Sequence, residues 1–240
     1  KPAMLHWAGL WSWNSDLETG NYVPKGETPS SRPRSRNVPD NICQFSYAVD
    51  TNEDKTIWDL QRALEDNVQS KPTFNLSKKD RRAWQNGSEE YTSTYIFSSQ
   101  VFIRRNRMNA HRAAEVDYPL HPWITEVTKG KSGYFPNPDK PKIFELCNDE
   151  LRAISECDPP YLRKGDLVWM SFSAIFTIGT ETWSTTFVPY EIVRVGAMSA
   201  DLFNGSHSED PAPRPQLKVG QKISKGQLAI TMRTITHYWL

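Results

Sequence analysis

Four ionisable residues, His111, Glu115, Asp117 and His121, fall within eleven positions of one another. On a helix, His111 and Glu115 at i,i+4 would share a face and could hold a divalent metal that activates water. The surrounding stretch, Asn106 to Val116, is polar and loosely patterned, as a solvated surface is, so a metal-dependent enzyme is the least supported of three functional readings. The sequence contains no nucleophile elbow, no phosphate-binding glycine loop, no His-Glu-x-x-His helix and no paired Cys-x-x-Cys motif. No catalytic residue, metal ligand or cofactor is therefore assigned, and a non-enzymatic protein is expected. Cys43, Cys147 and Cys157 are odd in number and widely spaced, which suits neither a disulfide framework nor the paired thiols of a zinc site. Cys43, beside Gln44 and Phe45, reads as a small core residue rather than a nucleophile.

The charge map carries more chemistry. Between Lys71 and Arg112 stand nine basic residues against Asp80, Glu89 and Glu90, a local +6 in a chain of net charge +1, so the remainder is -5. Phe74, Trp84, Tyr91, Tyr95, Phe97 and Phe102 are interleaved with them. Cations set among aromatics on a β-surface neutralise phosphates while rings stack on bases. The expected nucleic-acid-binding residues are Lys78, Lys79, Arg81, Arg82, Trp84, Tyr95, Arg104, Arg105 and Arg107, with DNA or RNA as partner. Two other readings of the same residues stay open: a solvated face whose aromatics all point inward, and an importin-type address at Lys78–Arg82. A different class of function, docking on a protein partner, is suggested by Trp7, Trp11 and Trp13 and by the aromatic C-terminus Tyr238-Trp239, since indoles are costly to leave in water. An N-terminal arm packed on the core is the simpler reading of the three tryptophans.

The elements that must position these residues are mostly strands. The clearest periodic signal runs from Asp166 to Val195. Val168, Met170, Phe172, Ala174, Phe176 and Ile178 alternate with Leu167, Trp169, Ser171, Ser173, Ile175 and Thr177, which predicts a long half-buried strand with Ser171 and Ser173 facing away from the core. Gly179-Thr180-Glu181 turns the chain into a second strand, interrupted at Pro189. Further strands are expected at Ile42–Val49, at Tyr91–Arg105 with a bulge near Ser98-Ser99, and at Gln227–Tyr238. Helices are expected at Asp54–Gln69, where Ile57, Leu60, Leu64 and Val68 recur behind Thr56 and Asp59, at Ser77–Asn86, and at Asn148–Cys157. The proline- and glycine-rich stretch His121–Pro141 reads as loop.

Lys164-Gly165-Asp166-Leu167-Val168-Trp169, followed by Ile192-Val193-Arg194-Val195, resembles the strands of SH3-like chromatin readers of the BAH and PWWP kind and is similar to strand openings in OB-fold barrels. The resemblance covers about 30 of 240 residues and carries no functional residue across. The expected fold is α+β and β-rich: a small closed or half-open β-barrel or curved sheet with a few short peripheral helices. Residues 1–50 are expected to form a Trp-rich arm and a Pro/Arg-rich loop, and residues 51–240 a β-rich globular domain with a possible internal boundary near 121–141.

Length and composition bound the rest. A chain of 240 residues with 38% hydrophobic and 24% charged residues can bury a core without staples. Sequons at Asn75, Asn86 and Asn204 occur about as often as composition alone produces them. No stretch approaches the ~18 apolar residues of a membrane span. The cysteine usage favours a reducing compartment, and the basic segment an intracellular location, nuclear or cytoplasmic.

Overall fold

A computed structural model describes residues 3–27, 36–82, 93–130 and 132–197. In chain order its elements are β1 (Leu5–Asn14), β2 (Gln44–Asp50), α1 (Thr56–Gln69), β3 (Asp80–Arg81), β4 (Thr94–Gln100), β5 (Phe102–Arg104), α2 (Pro122–Thr128), β6 (Tyr134–Pro136), β7 (Lys142–Cys147), β8 (Glu150–Ala153), β9 (Asp166–Ile178) and β10 (Thr182–Ala197). The expected C-terminal strand at 227–238 lies outside the described residues. Eight strands form one sheet in the order β4-β2-β1-β9-β10-β7-β8, with β3 added to β10, while β5 and β6 pair separately.

The long hairpin forms where the alternation predicts, but burial holds only for the first half of β9: Ala174 and Phe176 are half-buried and Ile178 is exposed. β9 and β10 pair antiparallel from Trp183↔Ile178 to Ala197↔Asp166, with register shifts between Pro189 and Glu191 and between Arg194 and Gly196. A proline has no N–H to give the ladder, so the first irregularity falls beside it. Val168, Met170 and Phe172 are fully buried. The opposite face departs from expectation, because Ser171 and Ser173 are buried too and Ser173 shares a 3.0 Å hydrogen bond with the Tyr190 hydroxyl.

β1 is a strand inside the sheet, paired with β9 along Leu5–Leu10 and with β2 along Leu10–Asn14. The ladder thus runs across residue 50 without interruption, joining strands of residues 1–50 to those of 51–240. Trp11 is buried in the core, and Trp7 is half-buried with its Nε1 donating to Thr56 Oγ1 at 3.0 Å. The sheet curls until the Cα atoms of β4 and β10 come within 8 Å, but no ladder joins them, so it remains curved and unclosed. Inside the curl Phe97, Phe172 and Phe187 pack ring on ring, with Phe97 and Phe172 edge-to-face at 5.1 Å between centroids.

Four local expectations change. Helix α1 forms, but Thr56 does not cap it; the Asp54 carboxylate accepts from the Thr56 N–H at 2.9 Å. Ser77–Asn86 is not helical over its described part, because the Asn75 side chain binds both the N–H and the carbonyl of Lys79, and Asp80-Arg81 then pairs with Thr182-Trp183. Asn148 to Ala153 is a hairpin turn and strand rather than helix: Asn148 and Asp149 both take positive φ, as a two-residue turn of mirror-image type requires. The region expected as loop at 121–141 holds α2, capped by the His121 imidazole, which accepts from the Trp123 N–H, and β6.

Phe172→Ala is expected to cost about 3–5 kcal/mol by opening a cavity among the packed rings, and Ser173→Ala about 1 kcal/mol through its lost bond to Tyr190. Urea titrations of the two variants check this order, and a greater loss at Ser173 would place the wrong face of β9 inward.

Candidate nucleic-acid interface

The basic segment folds into two separate groups at opposite ends of β4. The first is carried by β3 and the turn before it. Lys78 sits at positive φ and is exposed, as is Arg82. The half-buried Lys79 donates its ammonium to the Gly179 carbonyl in the β9–β10 turn. Arg81 points inward instead, and its guanidinium is bidentate to the Glu65 carboxylate of α1. Gln61 donates to the same carboxylate at 2.7 Å and accepts from the Tyr95 hydroxyl at 2.5 Å, closing a buried chain Arg81–Glu65–Gln61–Tyr95. Desolvation lowers the Arg81 pKa against the pull of Glu65, and burial, reinforced by Glu65, raises that of Tyr95 well above the ordinary phenol value.

The second group follows β5. Arg104, Arg105 and Arg107 are all exposed. Asn106 and Asn109 exchange side-chain hydrogen bonds with the backbone to hold the turn that presents Arg107, and Asn109 also donates to the Arg104 carbonyl. Arg105 lies over the Phe135 ring at 5.4 Å and donates to the Ser132 carbonyl. Beside it is a pocket lined by Val116, Leu120, Thr125, Phe135 and Pro136, with Lys129 also on its wall.

Between the two groups β4 extends for seven residues, about 23 Å of strand. Its edge away from β2 faces β10 across a cleft of about 230 Å³ lined by Trp58, Arg81, Arg82, Tyr95, Ile96, Ser98 and Ser184–Phe187. On that side β10 is paired only at its two ends, by β3 at Thr182-Trp183 and by β7 at Glu191–Arg194, among the described residues. None of Lys78, Arg82, Arg104, Arg105 and Arg107 forms a carboxylate ion pair among the described residues.

The described aromatics of the expected surface are turned into the fold. Tyr95 is only 4% exposed, Phe97 and Phe102 are buried, and Phe74 packs edge-on against Phe176 and Trp183. Tyr95 is therefore corrected from a stacking residue to a core residue, since alternation places it on the concave face with Phe97. Arg81 is likewise a structural cation. Trp84 and Tyr91 lie outside the described residues.

The histidine–carboxylate group does not assemble into a site. His111 and Glu115 sit on an exposed 3-10 helix 4.0 Å apart, Asp117 pairs with Lys142, and His121 serves as the cap of α2. Cys43 is fully buried and its thiol is pushed up to about 12, chiefly by burial, as suits a core residue. Composition and spacing missed a different cluster. Arg194, 3% exposed, donates to Glu145 and to the carbonyls of Tyr161 and Pro159, and lies 3.6 Å from the buried Asp166. The Arg194 guanidinium, followed by the Cys157 thiol, holds the Glu145 carboxyl down at about 2. An arginine at an inward position of an otherwise apolar strand was the available signal.

No protein family and no curated protein matches this chain. Among solved structures it is similar to gp2.5, a single-stranded DNA-binding protein encoded by bacteriophage T7, at a TM-score of 0.33 and 9% identity over 88% of this chain and 100% of that one. At that level the likeness assigns neither a residue nor an activity. No helix among the described residues is long and apolar enough to cross a membrane.

Arg81→Ala is expected to cost about 3–5 kcal/mol, because it strands the buried Glu65 carboxylate. Glu65→Gln with Arg81→Met keeps an acceptor for Gln61 and removes the charge, so it should lose clearly less than Arg81→Ala alone. Chemical denaturation distinguishes the outcomes: equal losses would show that Arg81 does not compensate Glu65.

Proposed function

We propose that this protein binds single-stranded nucleic acid without catalysis, gripping phosphates at Lys78 and Arg82 on one side and at Arg104, Arg105 and Arg107 on the other. The observation that carries the reading is that these five exposed cations stand at the two ends of β4 and none spends its charge on a described carboxylate. A buried or paired cation is occupied by the fold, whereas an exposed unpaired one is available to phosphate. Further support comes from the strand order. Taken as β1, β2, β4, β9 and β10, the curved part of the sheet runs third-second-first-fourth-fifth, with the third and fifth strands parallel across an open seam. This is the arrangement of a partly open five-stranded Greek-key barrel, a scaffold whose second and third strands often receive oligonucleotides.

Phosphate contact dominates in this reading. Base contact, which Tyr95 is too buried to provide, falls to Trp84 or to the apolar pocket beside Arg105. An extended strand spanning the roughly 23 Å of β4 covers a footprint near the small end of the ~4–16 nucleotides that such folds occupy.

Fluorescence anisotropy with a labelled single-stranded oligonucleotide tests the reading. Affinity should fall steeply with salt, with a logarithmic slope of about -0.7 for each phosphate neutralised. Arg104→Ala with Arg107→Ala should weaken binding and make the slope shallower by roughly 1.4. Absence of binding at low salt, or a slope unchanged when all five cations are replaced, would end it.

A further inference from the structure

Cys147 and Cys157 are ten positions apart in the chain, yet the fold brings them together with Glu145. Glu145 and Cys147 are two residues apart on β7 and so share one face of that strand. The turn at Asn148-Asp149 sends β8 back along β7, and the 3-10 turn Ile154–Glu156 then delivers Cys157 to the same face. One carboxylate oxygen and two sulfurs lie within 4.8 Å of one another, all on half-buried residues.

We infer that Glu145, Cys147 and Cys157 form a binding site for a thiophilic dication of the zinc class. Two thiolates and a carboxylate are a donor set for Zn²⁺, and the sulfur donors argue against Mg²⁺ and Ca²⁺. With Zn–S bonds of about 2.3 Å, tetrahedral geometry places two sulfurs about 3.8 Å apart. From the observed spacing, the ligands need to close by no more than about 1 Å, within reach of side-chain rotation. Three protein ligands leave a fourth position for water on the exposed side.

The surroundings are built to support such a site. Arg194 Nε donates to Glu145 Oε1 at 2.9 Å, which orients the carboxylate and leaves Oε2 for the ion. Charge balances as well. Binding exchanges two thiol protons for one dication, so the net charge of Glu145, Asp166, Arg194 and the two cysteines together with the ion stays at minus one. The bound ion would clip the β7–β8 hairpin to the segment leading into β9, a structural role independent of the nucleic-acid reading.

Titration of the reduced, chelator-treated full chain with Co²⁺ tests this. One equivalent should produce thiolate-to-cobalt charge transfer in the near ultraviolet with the strong visible bands of tetrahedral cobalt, and Zn²⁺ should displace it. Cys147→Ser and Cys157→Ser should each abolish charge transfer from the missing thiolate and weaken binding at least tenfold, while Cys43→Ala leaves the spectrum intact. Should either serine variant fail to fold, alkylation of the wild-type protein followed by mass spectrometry supplies the same test: Zn²⁺ should protect Cys147 and Cys157 together. No charge-transfer band, a spectrum unchanged in Cys157→Ser, or alkylation indifferent to Zn²⁺ would each overturn the site.

Discussion

The structure depends on one strand being shared between two partners. β1 pairs with β9 up to Leu10 and with β2 from Leu10 onward, so a single residue hands the ladder from one half of the sheet to the other. Just past the hand-over the ladder with β2 shifts register between Trp11 and Trp13, a bulge that bends the strand. Gly9 stands just before the hand-over, where a Cβ would collide with the Trp7 ring at 1.9 Å. Trp11 adds a second tie just past the hand-over, its carbonyl accepting from Gly165, whose positive φ turns the chain into β9.

The nucleic-acid reading follows from the curl of the sheet. A flat sheet would keep β4 and β10 three strands apart; curling brings their edges face to face without pairing them. The gap is too narrow for another strand, which would need roughly 9.5 Å between its flanking neighbours, so the edges frame a cleft instead. The aromatics supply a large share of the driving force, because each Phe or Trp side chain buried inside the curl removes a large apolar surface from water. Their commitment to the core leaves the exposed cations as the surface chemistry around β4.

Two buried ion networks show how the same residue type serves fold and surface differently. Arg81 and Arg194 each face a carboxylate in a site of restricted solvent, where a desolvated cation is tolerated only if its donors are met. Arg194 meets that condition with one carboxylate and two carbonyls, and in doing so holds the 158–166 segment against β10. Arg82, next to Arg81 in the chain but past the end of β3, and Arg104, at the end of β5, remain exposed.

The sequence by itself determined the local elements whose residues agree with one another. The alternation in β9, the helical spacing of Ile57, Leu60 and Leu64, and the proline irregularity in β10 were all legible, because each rests on side-chain periodicity within one element. Where a side chain competed with the backbone, as Asn75 does for Lys79, or where two turn residues adopted positive φ, as Asn148 and Asp149 do, the local pattern pointed to a helix that does not form. The basic segment was legible as charge but not as geometry: only tertiary packing decided that Arg81 and Tyr95 turn inward while Arg82 and Arg104 stay in water. The meeting of Glu145, Cys147 and Cys157 was likewise beyond composition and spacing, since a hairpin and a 3-10 turn must both form before those donors share a face.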